Sequence, residues 1–257
     1  MDALLTGKVL LVTGGTAGVG AAVARAALRE GARVVVSGRS RDRGEALVAD
    51  LGGAEAKASF VVADQAEPAQ AKAAVAETVA RHGRIDCLVN AAGLTTRGTL
   101  LETTPELFDE HVATNLRGPF FTMQAAVADM VGRGAPGTIV NIITMSAHGG
   151  QPYLAPYVAA KAGLVGLTRN AAHAHRFDRV RINGLNIGWT ETEGEAQIQR
   201  RFHGGGDDWA QQAAAGLPMG RLGQVDEIAS VVLFLASEAA SLMTGSIVLV
   251  DGGYTCW

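Results

Sequence analysis

The chain has 257 residues, of which 48% are hydrophobic and 18% are charged, so it can bury a large core and does not have a disordered composition. Its net charge of −3 and its dispersed lysines and arginines exclude the basic surface that nucleic-acid-binding proteins carry. The longest candidate for a membrane span, 231–236, is far too short, and a signal-peptide pattern is lacking at the start, so we expect a cytoplasmic protein without membrane contact.

The two cysteines, Cys87 and Cys256, are too few for a disulfide framework or a metal cluster. Cys87 lies in an apolar run, which predicts a small core residue. We therefore expect a protein of a reducing compartment that holds no metal.

Short apolar runs alternate with helical patterns along the whole chain. Strands are predicted at 8–13, 33–37, 59–63, 85–90, 138–143, 180–186 and 246–250. Helices are predicted at 21–30, 42–51, 68–82, 105–131, 154–175 and 225–237. The polar segment 194–218 predicts two short helices, within an excursion at about 190–218 that covers the substrate. This alternation predicts one doubly wound α/β domain over 1–257, with ligands bound beyond the carboxyl ends of a largely parallel sheet.

A glycine turn follows the first strand and precedes the first helix. Gly14, Gly18 and Gly20 allow the backbone to approach a pyrophosphate, and the helix N-terminus offers free N–H groups to its charge. The spacing differs from the commoner G-x-G-x-x-G. Its position between strand and helix predicts a nucleotide-binding turn.

The end of the second strand bears on the choice of cofactor. An NAD-binding protein often has an acidic residue there, whereas this chain has Arg39, which can pair with the ribose phosphate of NADP. The sequence favours NADP, but NAD remains possible because Arg39 can equally be a solvated arginine. Asp64 and Gln65, which end the third strand, are expected at the adenine edge, with a helix-capping role for Asp64 as the alternative.

Tyr157 and Lys161 are four residues apart on a predicted helix and therefore share one face. A lysine charge beside a phenol can lower the pKa of the phenol, which would allow it to exchange a proton near neutral pH. Alone, this spacing is more typical of a solvated helix face.

Several motifs occur together in one order: Thr13-Gly14-x-x-x-Gly18-x-Gly20, Asn90-Ala91-Ala92-Gly93, Asn115, Tyr157-x-x-x-Lys161 and Asp251-Gly252-Gly253. On these motifs the chain resembles the short-chain dehydrogenase/reductase family in its single-domain form. The resemblance implies a seven-stranded Rossmann sheet of order 3-2-1-4-5-6-7 and NAD(P)-dependent interconversion of a ketone and a secondary alcohol. It also implies a homotetramer, with helices 105–131 and 154–175 at the subunit interface.

The same resemblance implies roles for individual residues. Tyr157 resembles the catalytic acid/base, Lys161 the residue that lowers its pKa and holds the nicotinamide ribose, and Asn115 the anchor of a proton-relay water. The residues expected to line the cofactor are Gly14, Thr16, Gly18, Val19, Gly20, Asn90, Ala91, Gly93, Ile187 and Thr192. Ile187 stands where many relatives have proline.

A second departure concerns the third catalytic group. Relatives usually have a serine thirteen residues before the tyrosine, and this chain has Thr144 there, with Ser146 two residues on. A threonine hydroxyl can donate a hydrogen bond to a carbonyl as serine does. We favour Thr144 and retain Ser146 as the rival.

The substrate pocket is expected to be lined by Leu94, Met145, His148, Gln151, Tyr153 and Trp189. His148 can equally be a loop histidine satisfied by the backbone. The predicted substrate is a small ketone or alcohol, with a 3-oxoacyl-thioester reductase as the alternative. From a different class, a catalytically silent dinucleotide-binding sensor is the further alternative.

Overall fold

Seven strands form one parallel sheet in the order β3-β2-β1-β4-β5-β6-β7, which confirms the predicted fold class. The computed structural model describes residues 3–52, 55 and 57–255, and Cys256 lies outside these residues. The strands are β1 Val9–Thr13, β2 Arg33–Gly38, β3 Ala58–Val62, β4 Cys87–Asn90, β5 Gly137–Ile142, β6 Val180–Ile187 and β7 Ile247–Val250.

Helices cover both faces of this sheet. They are α1 Gly18–Arg29, α2 Arg41–Asp50, α3 Pro68–His82, α4 Pro105–Val112, α5 Gly118–Gly132, α6 Ser146–Gly149, α7 Ala155–Ala174, α8 Glu193–His203, α9 Trp209–Ala214 and α10 Val225–Ala236. On one face α1 packs against α10, and on the other α3 packs against α5. None of the helices in the described part of the chain has the length and apolarity needed to span a bilayer.

The central strands are apolar on both sides because each face of the sheet packs against helices. All five residues of β1 and all four of β4 are buried. Cys87 in β4 is 2% exposed, as its apolar surroundings predicted, and burial raises the pKa of its thiol to about 11.

The predicted helix at 105–131 is interrupted. Thr104 caps α4 by accepting a hydrogen bond from the Leu107 amide, and α4 ends at Val112. A π-helical turn, Ala113–Arg117, then connects it to α5. A π-helical turn has no periodicity signal in the sequence, so the interruption could not be predicted.

The other departures from the predicted elements are small. Most strand and helix ends shift by one or two residues, β4 starts at Cys87 instead of Ile85, and α1 starts at Gly18, three residues before its predicted start. The helix α6 follows β5 and was not predicted because it is only four residues long. That the chain is one domain, with an excursion at 190–218 covering the substrate, stays a prediction.

Candidate active site

A cavity of about 450 Å³ runs along the carboxyl edge of the sheet, from the turn after β1 to helix α8. It is lined by most of the residues that the sequence nominated. These are Gly14, Thr16, Gly18, Val19, Gly20, Arg39, Asp64, Gln65, Ala91, Gly93, Leu94, Thr144, Met145, Ser146, Gln151, Tyr153, Tyr157, Lys161, Ile187, Trp189 and Thr192. Of the nominated residues, Asn90, Asn115 and His148 are outside this lining.

The glycine turn is shaped by close backbone contacts. Gly14 has a φ of +63°, and a Cβ there would lie 2.5 Å from the Cα of Ala92. A Cβ on Gly20 would lie 2.4 Å from the Gly14 carbonyl oxygen. Helix α1 begins at Gly18 after the apolar Ala17, and its first turn has no acidic residue. The N–H groups of this turn therefore face the cavity without a competing side chain, which suits a phosphate.

Arg39, at the end of β2, is exposed at the rim of the cavity. Among the residues that the structure describes, it has no acidic partner, whereas the neighbouring Arg41 pairs with Glu45. The guanidinium of Arg39 is therefore available to an anionic group in the cavity.

Asp64 and Gln65 take different orientations at the end of β3. The Asp64 carboxylate accepts a hydrogen bond from the Ala66 amide at 2.9 Å, in the turn before α3, but the N-cap residue of that helix is Glu67, so the capping alternative is wrong. Gln65 is 7% exposed, and its side-chain amide points to the Thr122 hydroxyl of α5, 3.5 Å away. Gly118 leaves the space that Gln65 fills, since a Cβ there would lie 2.2 Å from the Gln65 carbonyl oxygen.

Tyr157 and Lys161 lie near the start of α7 and both face the cavity. The Lys161 ammonium donates a hydrogen bond to the Ile142 carbonyl at 2.8 Å and lies 5.8 Å from the centre of the Tyr157 ring. Burial lowers the pKa of Lys161 to about 8, and burial raises the pKa of Tyr157 to about 12. In the protein alone, Tyr157 is therefore a protonated phenol at neutral pH, contrary to the lowered pKa that the spacing suggested.

Thr144 is the hydroxyl that approaches the phenol. A hydrogen bond from Thr144 partly offsets the effect of burial on the pKa of Tyr157. The Thr144 hydroxyl also contacts the Ser146 hydroxyl at 3.3 Å and accepts a hydrogen bond from the Ser146 amide at 3.2 Å. Thr144 thus lies between Tyr157 and Ser146, and Ser146 is placed to orient it.

Asn90 lies outside the cavity lining and forms hydrogen bonds between central elements of the fold. Its side-chain amide donates to the Asn141 side chain at 2.8 Å, and its oxygen accepts from the Thr122 hydroxyl at 2.7 Å. These contacts link β4, β5 and α5 beneath the loop that carries Ala91 and Gly93.

Asn115 lies in the π-helical turn and is fully buried. Its side chain forms two 3.0 Å hydrogen bonds with the backbone of Leu94, one to the amide and one to the carbonyl. It also contacts Nδ1 of His111 at 3.2 Å, while Nε2 of His111 lies 3.0 Å from the Thr96 carbonyl. Since Asn115 donates to Nδ1, the proton of the imidazole is on Nε2. Burial lowers the pKa of His111, which favours this neutral form.

His148 is exposed on α6, and the structure leaves it outside the cavity. His148 lies on the exposed part of this short helix, whereas Ser146, at its start, is buried. Met145, Gln151, Tyr153 and Trp189 do line the cavity, as expected.

A polar cluster at the far end of the cavity was missed by the sequence reasoning. Arg97 pairs with Glu195 at 3.1 Å, and both side chains are largely buried, at 10% and 14% exposure. Trp189 and Gln199 donate to the same Glu195 oxygen, at 3.1 and 2.7 Å. Arg97 and Glu195 are 98 positions apart, so no local pattern could bring them together.

Comparison with known proteins identifies the class. A family model described as enoyl-(acyl carrier protein) reductase matches residues 14–255. The 3-oxoacyl-(acyl-carrier-protein) reductase FabG of Chlamydia pneumoniae is 31% identical over 99% of this chain and 100% of its own. A short chain dehydrogenase/reductase family protein of known structure is 40% identical over 99% of both chains, with a TM-score of 0.84. A variant of actinorhodin polyketide ketoreductase solved with NADPH is 32% identical over 98% of both, with a TM-score of 0.91.

The fold and the relatives define an NAD(P)-dependent oxidoreductase that interconverts carbonyl and alcohol groups. The chain belongs to the short-chain dehydrogenase/reductase family, as its motifs indicated.

Proposed function

We propose that the protein reduces a ketone to a secondary alcohol with NADPH, and catalyses the reverse oxidation, with Tyr157 as the proton donor and acceptor. The observation that carries this proposal is the joint position of Tyr157, Lys161 and Thr144 in the cavity that reaches back to the glycine turn. A nucleotide at the turn and a carbonyl at the tyrosine would share one continuous space.

The residues of the cavity fit a nicotinamide dinucleotide. The turn of Gly14, Gly18 and Gly20 would hold the pyrophosphate. Gly14 and Gly20 leave no room for a Cβ against neighbouring backbone, and Gly18 has a positive φ of +51°. Lys161 and Thr192 would hold the nicotinamide end. When bound, the nicotinamide supplies or accepts the hydride, and the protein supplies position and the proton.

Arg39 supports NADP over NAD. Its guanidinium is exposed at the rim beside Ser37 and Gly38, and a planar guanidinium matches a phosphate with two parallel hydrogen bonds. An acidic residue that would repel the phosphate is lacking at the end of β2.

The proton chemistry follows from the ionisation of the two α7 residues. Tyr157, whose pKa is about 12, is protonated and can donate to a carbonyl oxygen as negative charge develops there. Thr144 would donate a second hydrogen bond to the same oxygen. Lys161 is cationic at neutral pH, since its pKa of about 8 lies above that pH, and it would favour the transient phenolate electrostatically.

Asn115 would support the return of a proton to Tyr157. Its side chain holds Leu94 on both backbone groups and so fixes the loop beside Lys161. A Cβ on Gly93 would lie 3.4 Å from Asn115 Oδ1 and 3.9 Å from Lys161 Nζ, so the two side chains border the same point. A water molecule held between the Asn115 and Lys161 side chains would connect Lys161 to solvent.

A 3-oxoacyl-thioester reductase is the second candidate, because FabG proteins are among the relatives at 31% to 33% identity. A carrier protein or coenzyme A would require free cations at the mouth of the cavity. At the substrate end of the cavity, the lining arginine Arg97 is engaged by the Glu195 carboxylate, which favours the ketone reductase.

We also propose a cytoplasmic homotetramer. Helices α4 and α5 expose apolar side chains, with Phe108, Phe120 and Val131 each more than 40% exposed. Apolar side chains exposed along one continuous helical segment are typical of a covered interface.

A panel of ketones assayed with NADPH and with NADH tests the proposal. We expect oxidation of NADPH in the presence of simple ketones, and a lower kcat/KM with NADH. A thioester reductase would instead consume NADPH only with 3-oxoacyl thioesters. Binding of NADPH without consumption by any member of the panel would overturn the proposed reaction.

A further inference from the structure

We infer that Glu195 determines specificity, selecting a neutral substrate that carries a hydroxyl group besides the reacting carbonyl. This inference rests on the proposed function and names the substrate class of the same cavity. It begins from the two oxygens of one carboxylate, which have different surroundings.

Oε1 of Glu195 is saturated. It accepts hydrogen bonds from Arg97 Nη2 at 3.1 Å, Trp189 Nε1 at 3.1 Å and Gln199 Nε2 at 2.7 Å. Three donors from three segments fix the carboxylate in one orientation. This fixed position makes Glu195 a preorganised group.

Oε2 of Glu195 is free. Among the residues that the structure describes, none donates a hydrogen bond to Oε2. This oxygen is also not among the fully buried side-chain atoms that lack a hydrogen-bond partner. Glu195 lines the cavity and is close enough to Tyr157 to raise the pKa of the phenol. A carboxylate oxygen accepts hydrogen bonds only, so its complement on a ligand is a donor such as a hydroxyl group.

The charge of the cluster argues against an ionic substrate. Arg97 neutralises Glu195, so a cationic group gains little from the pair. An anionic group finds three of the five guanidinium N–H groups engaged, because Nε donates to His203 at 3.1 Å, Nη1 donates to the Thr95 carbonyl at 3.2 Å and Nη2 donates to Glu195, and the charge of the guanidinium is already neutralised by that carboxylate. The free carboxylate oxygen would also repel it.

Aromatic rings complete this end of the cavity and suit a compact ring. Arg97 lies over the Tyr153 ring at 5.3 Å, and the Tyr153 and His203 rings meet edge to face at 5.1 Å. Trp189 packs against Trp209 at 6.2 Å. Flat apolar walls beside one fixed acceptor match the faces and the hydroxyl edge of a hydroxylated ring.

The test compares three ketones that share one ring: cyclohexanone, 4-hydroxycyclohexanone and the anion 4-oxocyclohexanecarboxylate. The wild-type enzyme with NADPH is expected to prefer the hydroxylated ketone over cyclohexanone by about 10- to 100-fold in kcat/KM, as a hydrogen bond to a charged group predicts. The carboxylate is expected to be the poorest of the three.

The substitution Glu195→Gln replaces the free hydrogen-bond acceptor, Oε2, with a hydrogen-bond donor. The three donors require the amide oxygen at the Oε1 position, so the amide nitrogen, a donor, replaces Oε2. Because an uncharged amide forms a weaker hydrogen bond with a hydroxyl group than a carboxylate does, we expect this variant to lose most of the preference for 4-hydroxycyclohexanone over cyclohexanone. Glu193→Gln is the matched control, since it makes the same charge change on the same helix at an exposed residue outside the cavity, and it should keep the preference.

The outcomes separate the inference from the proposed function. A wild-type enzyme that reduces all three ketones without preferring the hydroxylated one overturns the inference, whatever the variant does. An equal loss for both neutral ketones in Glu195→Gln, with the preference intact, overturns it as well. In either case ketone reduction itself stands. If the wild-type enzyme reduces none of the three, the inference fails, and the proposed function fails with it only if the wider ketone panel is not reduced either.

Discussion

At the scale of single residues, burial sets the properties of Tyr157 and Lys161. Burial favours the uncharged form of each group, so the pKa of the phenol rises and the pKa of the ammonium falls. The lysine retains one protein hydrogen bond, to the Ile142 carbonyl. The proposed proton donor is therefore protonated at neutral pH, with the cationic Lys161 one helical turn away.

The lowered pKa of Lys161 predicts a pH-dependent stability. The folded state binds this proton less tightly than the unfolded state, so the penalty is present below pH 8 and is relieved as the pH rises towards 10.5. Urea unfolding of the wild type and Lys161→Met should show the wild type gaining roughly 2 to 3 kcal/mol relative to the variant between pH 7 and pH 10.

Lys72→Met serves as the control for that experiment, because Lys72 is exposed on α3. Its difference from the wild type should stay constant over the same pH range. A constant difference for Lys161→Met as well would show that burial does not perturb this ammonium.

Arg39 gives a second prediction at this scale. Arg39→Ala should raise the KM for NADPH by roughly 10- to 100-fold, the value of a hydrogen-bonded charge pair, and leave the KM for NADH nearly unchanged. Arg41→Ala, which removes the neighbouring arginine that pairs with Glu45, is the matched control. Equal effects of Arg39→Ala on both cofactors would contradict the assignment to the ribose phosphate.

At the scale of elements, the turn between β1 and α1 depends on missing side chains. Gly20→Ala would press a Cβ against the Gly14 carbonyl at 2.4 Å, so the turn or the helix must shift. We expect a loss of roughly 1 to 3 kcal/mol in the free energy of unfolding, typical of overpacking, together with weaker NADPH binding.

Gly132→Ala provides the comparison. Gly132 ends α5, and a Cβ there meets no atom within 4 Å. This variant should bind NADPH as the wild type does, in a fluorescence titration. If Gly20→Ala also bound NADPH normally, the close approach would have no part in holding the nucleotide.

Elements are also the scale at which sequence reasoning succeeds and fails. The buried strands and the glycine turn could be predicted because their signals are local: a β-branched run, a glycine, a helix start. The π-helical turn around Asn115 has no such signal, and neither does the inward orientation of Gln65, which depends on Gly118 in another helix. Arg97 and Glu195 are 98 positions apart and meet only in the folded chain, so their pairing could not be predicted from the sequence.

At the scale of the whole molecule, one cavity joins residues from nearly every strand end on the carboxyl side of the sheet. This follows from the parallel arrangement, which brings all carboxyl ends to one edge. The proposed assembly would use exposed helical surfaces outside this cavity. There Phe120 on α5 exposes 43% of its surface.

The proposed tetramer can be tested by measuring the molar mass of the protein in solution. Light scattering after size-exclusion chromatography should give four times the chain mass of 26.5 kDa. Phe120→Asp should lower that mass, since a carboxylate cannot be buried without a partner. A wild-type mass of 26.5 kDa at assay concentrations would contradict the proposed assembly.

The most direct test of the central claim is Tyr157→Phe, which removes one hydroxyl and keeps the ring. With a ketone that the wild type reduces, kcat should fall at least about 100-fold, as expected for loss of a general acid. NADPH binding, measured by fluorescence, should be unchanged. Turnover close to that of the wild type would contradict the assignment of Tyr157 as the proton donor.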